Sequence, residues 1–505
     1  MTFPITTNKT KGMKIVPVNR ESQVKEFRAS LDRIRVLGSV FQTLHEWVGG
    51  PGIGKTTLLK LMVDVCKGKE EEKEKGKKVP YAFVDFSPIR NRRASRYGED
   101  MTLLIEELLT VSRHDKLAKD VEEAIGEYRA VPCSDAEQRQ LRIQDVTRAF
   151  VRLVGGITEN SPVVLFFDEA ERADQNVVAW LEEWVINPLV QNGSCLIVWA
   201  GRRPQRWKHF EVRRRVRLQE VTVFDRDGTR KLYEQNSSYP LIEFTAPARQ
   251  LTRGHPYADA IVLHYLDSLA KEGKSLKKEQ FKRLEMPLLD NLVQEFVDDF
   301  AFRDISTEVA SACRLMSLVR QFDVIMLREI LTQALDSFDE YDRNEFGSLL
   351  SRLRETQLVL WDDRRKGYTL DETLRHILSE HIRRNRPDFF LSVNRAAICV
   401  YQDWIERAGD NRGIYIVEEL FHHANLKLVK GVLTTEEKME LPALLKLRIQ
   451  EYPQRDPDLR AAALDRLYHE CEADPDLPRM IEEEGMNELL KVIRIARIDV
   501  YSDSN

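Results

Sequence analysis

Two short stretches carry residue types that could handle a nucleotide. The first is Gly49-Gly50-Pro51-Gly52-Ile53-Gly54-Lys55-Thr56-Thr57, which fits G-x-x-x-x-G-K-[ST] from Gly49 to Thr56. Glycines suit a loop whose N–H groups must close around phosphate oxygens, because a Cβ would obstruct the wrapping. Lys55 is then placed to reach the β- and γ-phosphates, and Thr56 to set its hydroxyl on Mg²⁺. The second is Asp168-Glu169, which ends the apolar run from Ser161 to Phe167. There Asp168 would hold the Mg²⁺ shell, directly or through water, and Glu169 would orient and deprotonate an attacking water. Arg202 follows a third apolar run, Ser194 to Ala200. It could stabilise charge on a transferred phosphoryl group, although meeting a nearby acid is the plainer role.

These side chains must be positioned by strands and helices. Thr43 to Val48 reads as a strand before the glycine loop, and Leu58, Leu59, Leu61, Met62 and Val65 follow at helical spacing, so the loop sits in a strand-loop-helix setting. Val24, Phe27, Leu31, Ile34 and Val36 predict a leading helix, and Val79 to Phe86 a further strand after the charge run Lys67 to Lys78. The uninterrupted run into Asp168 is expected of a central parallel strand buried on both faces. Beyond a helix near Asp227 to Gln235 the pattern is helical, broken at Thr252-Arg253-Gly254-His255-Pro256. From Ile305 to Arg384 three helices, the hairpin Gln357 to Leu370 and a last helix spell a winged helix-turn-helix, and further helices run to the end. The fold expected is thus an α/β P-loop domain with a parallel sheet over 1–240, a helical lid over 241–304, the winged helix-turn-helix over 305–385 and a C-terminal helical domain over 386–505.

Composition narrows the partners. The 77 basic and 82 acidic side chains leave a net charge of −5, which gives no general attraction to nucleic acid or anionic membrane. Arg213-Arg214-Arg215-Val216-Arg217 lies in Val212 to Val223, which alternates enough to read as an edge strand with a solvated basic face. The recognition helix, Asp342 to Glu355, is preceded and begun by Asp336, Asp339, Glu340, Asp342 and Glu345, acids that would repel phosphates. A packing or switching role therefore fits it better than DNA reading. Six scattered cysteines form no C-x-x-C pair, and adjacent His422 and His423 would diverge on a helix, so neither a zinc site on these residues nor a disulfide framework is expected. With no apolar run of membrane length, a cytoplasmic protein is expected.

The pieces in this order resemble the STAND class of P-loop ATPases, signal-transduction ATPases with numerous domains that include the apoptotic and immune NOD-like switches. The resemblance covers about residues 15–385 and rests on Asn19-Arg20-Glu21, the loop Gly49 to Thr57, Leu165-Phe166-Phe167-Asp168-Glu169, Arg202, Gly254-His255-Pro256 and the following winged helix. It implies that Asn19 and Arg20 line the adenine, that Pro256 packs on the base and that Arg202 senses the γ-phosphate. It also implies a monomeric ADP form and a homo-oligomer when ATP·Mg²⁺ replaces ADP. One departure is clear: where many NOD-like members carry Met-His-Asp, this chain reads Leu370-Asp371-Glu372. With only about 120 residues after the winged helix, a protein partner in trans is expected, or the C-terminal helices serve that purpose. The competing reading is an initiator-like AAA+ ATPase whose winged helix contacts duplex DNA, with the Arg213 to Arg217 run supplementing it.

Overall fold

The computed structural model describes residues 17–68, 78–86, 97–109, 116–132, 134–191, 193–273, 276–335, 338–407, 411–428, 433–451 and 457–502. Ile15 and Val16, residues 69–77 of the charge run, Cys133, Asp336, and Gly409 with Asp410 lie outside them. The chain divides into two compact units, Met1–Lys278 and Glu279–Asn505.

The first unit is built on five parallel strands, β1 (Leu44–Val48), β2 (Tyr81–Asp85), β3 (Val163–Asp168), β4 (Cys195–Gly201) and β5 (Val216–Glu220), in the order β2-β3-β4-β1-β5. Every residue of β1, β3 and β4 is buried, which is why β3 and β4 are near-continuous apolar runs, while β1 also buries His45 and Glu46. The pleat sends alternate side chains to opposite faces. Val164, Phe166, Leu196, Val198 and Trp47 pack against α1 (Glu21–Leu37) and α2 (Lys55–Cys66). Val163, Leu165, Phe167, Ile197 and Trp199 pack against α3 (Tyr97–Leu108), α4 (Lys116–Ala130), α5 (Ala136–Thr158) and α6 (Gln175–Leu181). Parallel strands joined by helices bring the C-terminal ends of β1, β3 and β4 to one edge, and so gather the glycine loop, Asp168 and Arg202 there.

One expectation is corrected. Val212 to Val223 is not a single strand: Phe210–Arg215 forms the short helix α7, and only Val216–Glu220 is the edge strand β5. The Glu182 carboxylate accepts from the N–H groups of Lys208 (2.5 Å) and His209 (2.7 Å), satisfying donors at the helix start, and arginine is a good helix former. Helices α8 (Arg226–Asn236), α9 (Thr245–Thr252) and α10 (Pro256–Lys271) complete the unit. Buried Asp259 ties all three, accepting from Thr229 (3.0 Å) and from Thr252, and burial raises its pKa to about 6.

The second unit begins with α11 (Phe281–Leu292). Then come α12 (Thr307–Met316), α13 (Val324–Ala334), α14 (Arg343–Glu355), the antiparallel pair β6 (Val359–Asp362) and β7 (Gly367–Leu370), and α15 (Glu372–Asn385). Asp342 and Glu345 close a capping box at the start of α14, so two of the acids expected to repel phosphate are used as helix caps. Helices α16 (Pro387–Arg407), α17 (Arg412–Leu428), α18 (Thr435–Gln450), α19 (Pro457–Glu472) and α20 (Leu477–Ser502) form the C-terminal part. His422 is buried in α17, hydrogen-bonded to Asn394 Oδ1 at 2.7 Å, with burial holding its pKa well below the ordinary value.

A buried ion network crosses this unit. Arg320, fully buried, meets Glu418 at 2.9 Å and both oxygens of Asp474 at 2.9 and 2.7 Å, and its guanidinium lies 4.0 Å from the Phe421 ring centre. Arg375 adds a 3.0 Å bond to Asp476. From the hairpin, Arg365 stands 3.7 Å from Glu418, and Arg364 donates to the Ala473 carbonyl at 3.0 Å. Among the described residues no helix is long and apolar enough to cross a membrane.

Candidate functional site

The loop between β1 and α2 has the conformation its glycines permit. Gly52 (φ 73°) and Gly54 (φ 97°) are left-handed, and a Cβ on Gly49 would come 2.7 Å from the Val221 carbonyl oxygen and 2.9 Å from Ile53 Cγ2. Pro51 and Ile53 are buried within the loop, and Lys55, Thr56 and Thr57 open α2 with their N–H groups at its positive end. Lys55 Nζ donates to the carbonyls of Gly49 (2.8 Å) and Gly50 (3.1 Å) and is 6% exposed. Burial lowers its pKa, against the charges of Glu171, Glu169 and Asp168, which raise it.

Asp168 ends β3 and is 1% exposed. One carboxylate oxygen accepts from the Glu169 N–H at 3.0 Å, whereas Oδ2 is buried with no hydrogen-bond partner. Burial pushes the carboxyl up to about 6, and the Thr56 hydroxyl bonded to it pulls the other way. An orphaned carboxylate oxygen beside a threonine hydroxyl at the mouth of a phosphate loop is a donor set that suits Mg²⁺. Glu169 sits in the left-handed region (φ 55°, ψ 39°), a conformation that costs a residue with a Cβ about 1–3 kcal/mol and is concentrated at functional sites. Its carboxylate is paired with Arg172 at 3.1 Å, and burial followed by the Glu171 charge raises its pKa.

Arg202 is at the expected strand end, where its Nε lies 2.8 Å from Glu171 Oε1 in a pair that is 13% and 6% exposed. Lys55, Asp168, Glu169 and Arg202 are therefore brought together, with Glu171 and Arg172 among them. Asn19 and Arg20 stand at the other side of the loop. Arg20 is buried and donates to the carbonyls of Ile53 (2.8 Å) and Thr222 (3.1 Å), its guanidinium 5.1 Å from the Phe224 ring centre. Asn19 (φ 58°) presses on α8: a Cβ on Gly228 would meet its Nδ2 at 2.6 Å.

Pro256 opens α10 at its first position, where its fixed φ and missing N–H are best tolerated. The residue before it makes the direct contact. His255 Nε2 is 2.9 Å from the Pro51 carbonyl oxygen, and its Nδ1 accepts from the Ala258 N–H at 3.4 Å. An accepting Nδ1 leaves the proton on Nε2, so a neutral ring donates to the loop, in keeping with a pKa lowered to about 4 chiefly by burial. Sequence reasoning named the His255 turn as a helix break and gave no role to His255, Glu171 or Arg172. The signal for the last two was their place in Asp168-Glu169-Ala170-Glu171-Arg172; for His255 none existed short of the fold.

No family model and no curated protein sequence matches the chain. Solved structures do. The Aeropyrum pernix ORC2 protein in ADPNP-ADP complexes is 15% identical with a TM-score of 0.44, over 74% of this chain and 96% of that one. The Aeropyrum pernix ORC1 protein in complex with DNA is 13% identical, TM-score 0.39, over 74% and 95%. A STAND protein with a tetratricopeptide repeat sensor from Pyrococcus horikoshii is 13% identical, TM-score 0.31, over 97% of this chain and 61% of that one. The α/β P-loop fold followed by helical modules, expected from the sequence, is the fold the chain has.

Proposed function

We propose that the chain is a STAND-type molecular switch that binds ATP, hydrolyses it slowly to ADP, and uses the exchange to control homo-oligomerisation or the binding of a protein partner in signalling. The observation that carries this is the bond from His255 to Pro51. It joins the lid helices to the phosphate loop, so a ligand that reshapes the loop acts on α10 through one hydrogen bond. Arg20 supports the same reading by fastening the loop to the Thr222 segment that leads into α8.

In this proposal Gly49 to Thr57 cradle the phosphates, and Lys55 leaves the Gly49 and Gly50 carbonyls for the β- and γ-phosphates. Thr56 and Asp168 would hold Mg²⁺, whose charge neutralises the developing negative charge when it is bound. Glu169 takes the proton of the attacking water, Arg202 answers the γ-phosphate, and Asn19, Arg20 and Pro256 stand on the adenine side. The initiator-like reading, with DNA on the wing, is disfavoured because Arg364 and Arg365 of the β6–β7 hairpin are engaged by Ala473 and Glu418.

Light scattering after size exclusion tests the switch, with ADP, with ATP·Mg²⁺ and with neither, using Glu169→Gln to hold the ATP state. Growth in mass with ATP alone is expected. A mass that stays monomeric, together with salt-sensitive duplex binding abolished by Arg364→Glu, would replace the switch by the DNA-bound ATPase.

A further inference from the structure

The arginines that sequence alone reads as a solvated strand have a more specific setting. Helix α7 ends where β5 begins, so it lies at the opposite end of the sheet from the phosphate loop, which leaves the other end of β1 beside it. Phe41 precedes β1 at that same end. The Arg214 guanidinium stands 5.7 Å from the Phe41 ring centre and 5.9 Å from that of Phe210, and Arg215 stands 5.3 Å from Phe41. Both rings are left in solvent, Phe41 at 58% and Phe210 at 64% exposure. Arg213 is exposed and has no acidic partner among the described residues, while Arg214 is paired with Glu211 at 2.7 Å and Arg217 with Glu26. From Arg206 to Arg217 six basic side chains face one acid, Glu211, in a chain that is negative as a whole.

Large exposed rings are unfavourable in water, and here each carries a planar cation beside it. That combination suits a ligand with a phosphate for each arginine and a flat, unstacked base for each ring. A duplex keeps its bases stacked and offers no face to Phe41 or Phe210, and an acidic peptide offers charge without the planes. We propose that α7 and Phe41 form a binding face for single-stranded nucleic acid, with phosphates on Arg213, Arg214 and Arg215 and bases stacked on Phe41 and Phe210. This face is independent of the nucleotide switch and remote from it.

The test is fluorescence anisotropy of a labelled oligothymidylate of about 20 nucleotides, long enough to exceed one such site, titrated with the full chain at low and at near-physiological salt. Affinity is expected to fall with salt. Arg213→Glu with Arg214→Glu should weaken binding by roughly tenfold or more and flatten the logarithmic salt slope by about 0.7 for each phosphate that is no longer neutralised. Phe41→Ala should weaken binding by about fivefold or more, because a base has no ring to stack on, while leaving the salt slope unchanged. ATP affinity should be the same in all variants, which reports an intact fold. If charge reversal lowers the melting temperature, Arg213→Gln with Arg214→Gln reads the same weakening. No binding at low salt, or binding indifferent to these substitutions, overturns the proposal. Equal competition by a hairpin duplex removes the single-strand assignment, and equal competition by polyglutamate gives the face to an acidic protein partner instead.

Discussion

His255 Nε2 lies 2.9 Å from the Pro51 carbonyl oxygen, so the first turn of α10 is hydrogen-bonded to a phosphate loop more than two hundred residues earlier in the chain. Replacing His255 by Ala leaves that buried carbonyl without its donor, a loss of about 1–3 kcal/mol. Calorimetry should show ATP affinity reduced by roughly tenfold, and His255→Gln, which can still donate, should recover part of it. Unchanged affinity in His255→Ala would make the contact incidental.

The same histidine predicts a pH dependence. Folded His255 titrates near 4 and an unfolded one near 6.5, so between those values the unfolded chain binds the extra proton. Stability from this group is intact above 6.5, falls as pH drops through the interval, and has declined by about 3 kcal/mol once below 4. Urea midpoints across pH 4–7 should decline more steeply in the wild type than in His255→Gln. Parallel profiles would contradict the assignment.

Asp168 should couple magnesium to protons. With its carboxyl held near 6 by burial, metal binding must displace a proton at and below that pH. Titration of ATP-loaded protein with Mg²⁺ is expected to release protons at pH 6 and few at pH 8, and Asp168→Asn should abolish the difference. Lys55→Ala, by contrast, should lose nucleotide at every pH.

Glu169 and Arg172 separate chemistry from binding. Glu169→Gln should retain ATP and lower single-turnover hydrolysis by about 10²-fold or more, the usual scale of a positioned base. Arg172 favours the ionised carboxylate, so Arg172→Ala should move the acidic limb of the rate profile to higher pH without changing ATP affinity. A rate profile unmoved by Arg172→Ala would leave that pair a helix-surface contact.

Arg320 is fully buried between the carboxylates of Glu418 and Asp474. Arg320→Ala would strand Glu418 and Asp474 as buried charges, at about 3–5 kcal/mol, whereas Arg320→Met with Glu418→Gln and Asp474→Asn should restore much of the loss. Denaturant midpoints of the single and triple variants give the answer.

Strands β3 and β4 were legible because parallel strands buried on both faces must be largely apolar, as Val163 to Phe167 and Cys195 to Ala200 are. The glycine loop was legible because its backbone conformation admits few residues at Gly52 and Gly54. Where a helix and a strand abut without a glycine or proline between them, as at Arg215-Val216, no local residue marks the boundary, and the cap that starts α7 comes from Glu182, distant in the chain. Pairings such as His255 with Pro51 or Glu171 with Arg202 depend on how elements close on one another, which local pattern does not encode.

The engagement of the hairpin by the C-terminal helices also bears on how the chain tolerates shortening. Asp474 and Asp476 lie just before the last helix and hold Arg320 and Arg375, while Ala473 and Glu418 occupy Arg364 and Arg365. A chain ending before residue 473 would therefore do more than lose its final helix. It would take Asp474 and Asp476 from Arg320 and Arg375, leaving Glu418 as the acid beside Arg320. Truncated forms would then hold buried guanidiniums short of counter-charge, and should unfold at lower denaturant than the loss of one helix alone would cause.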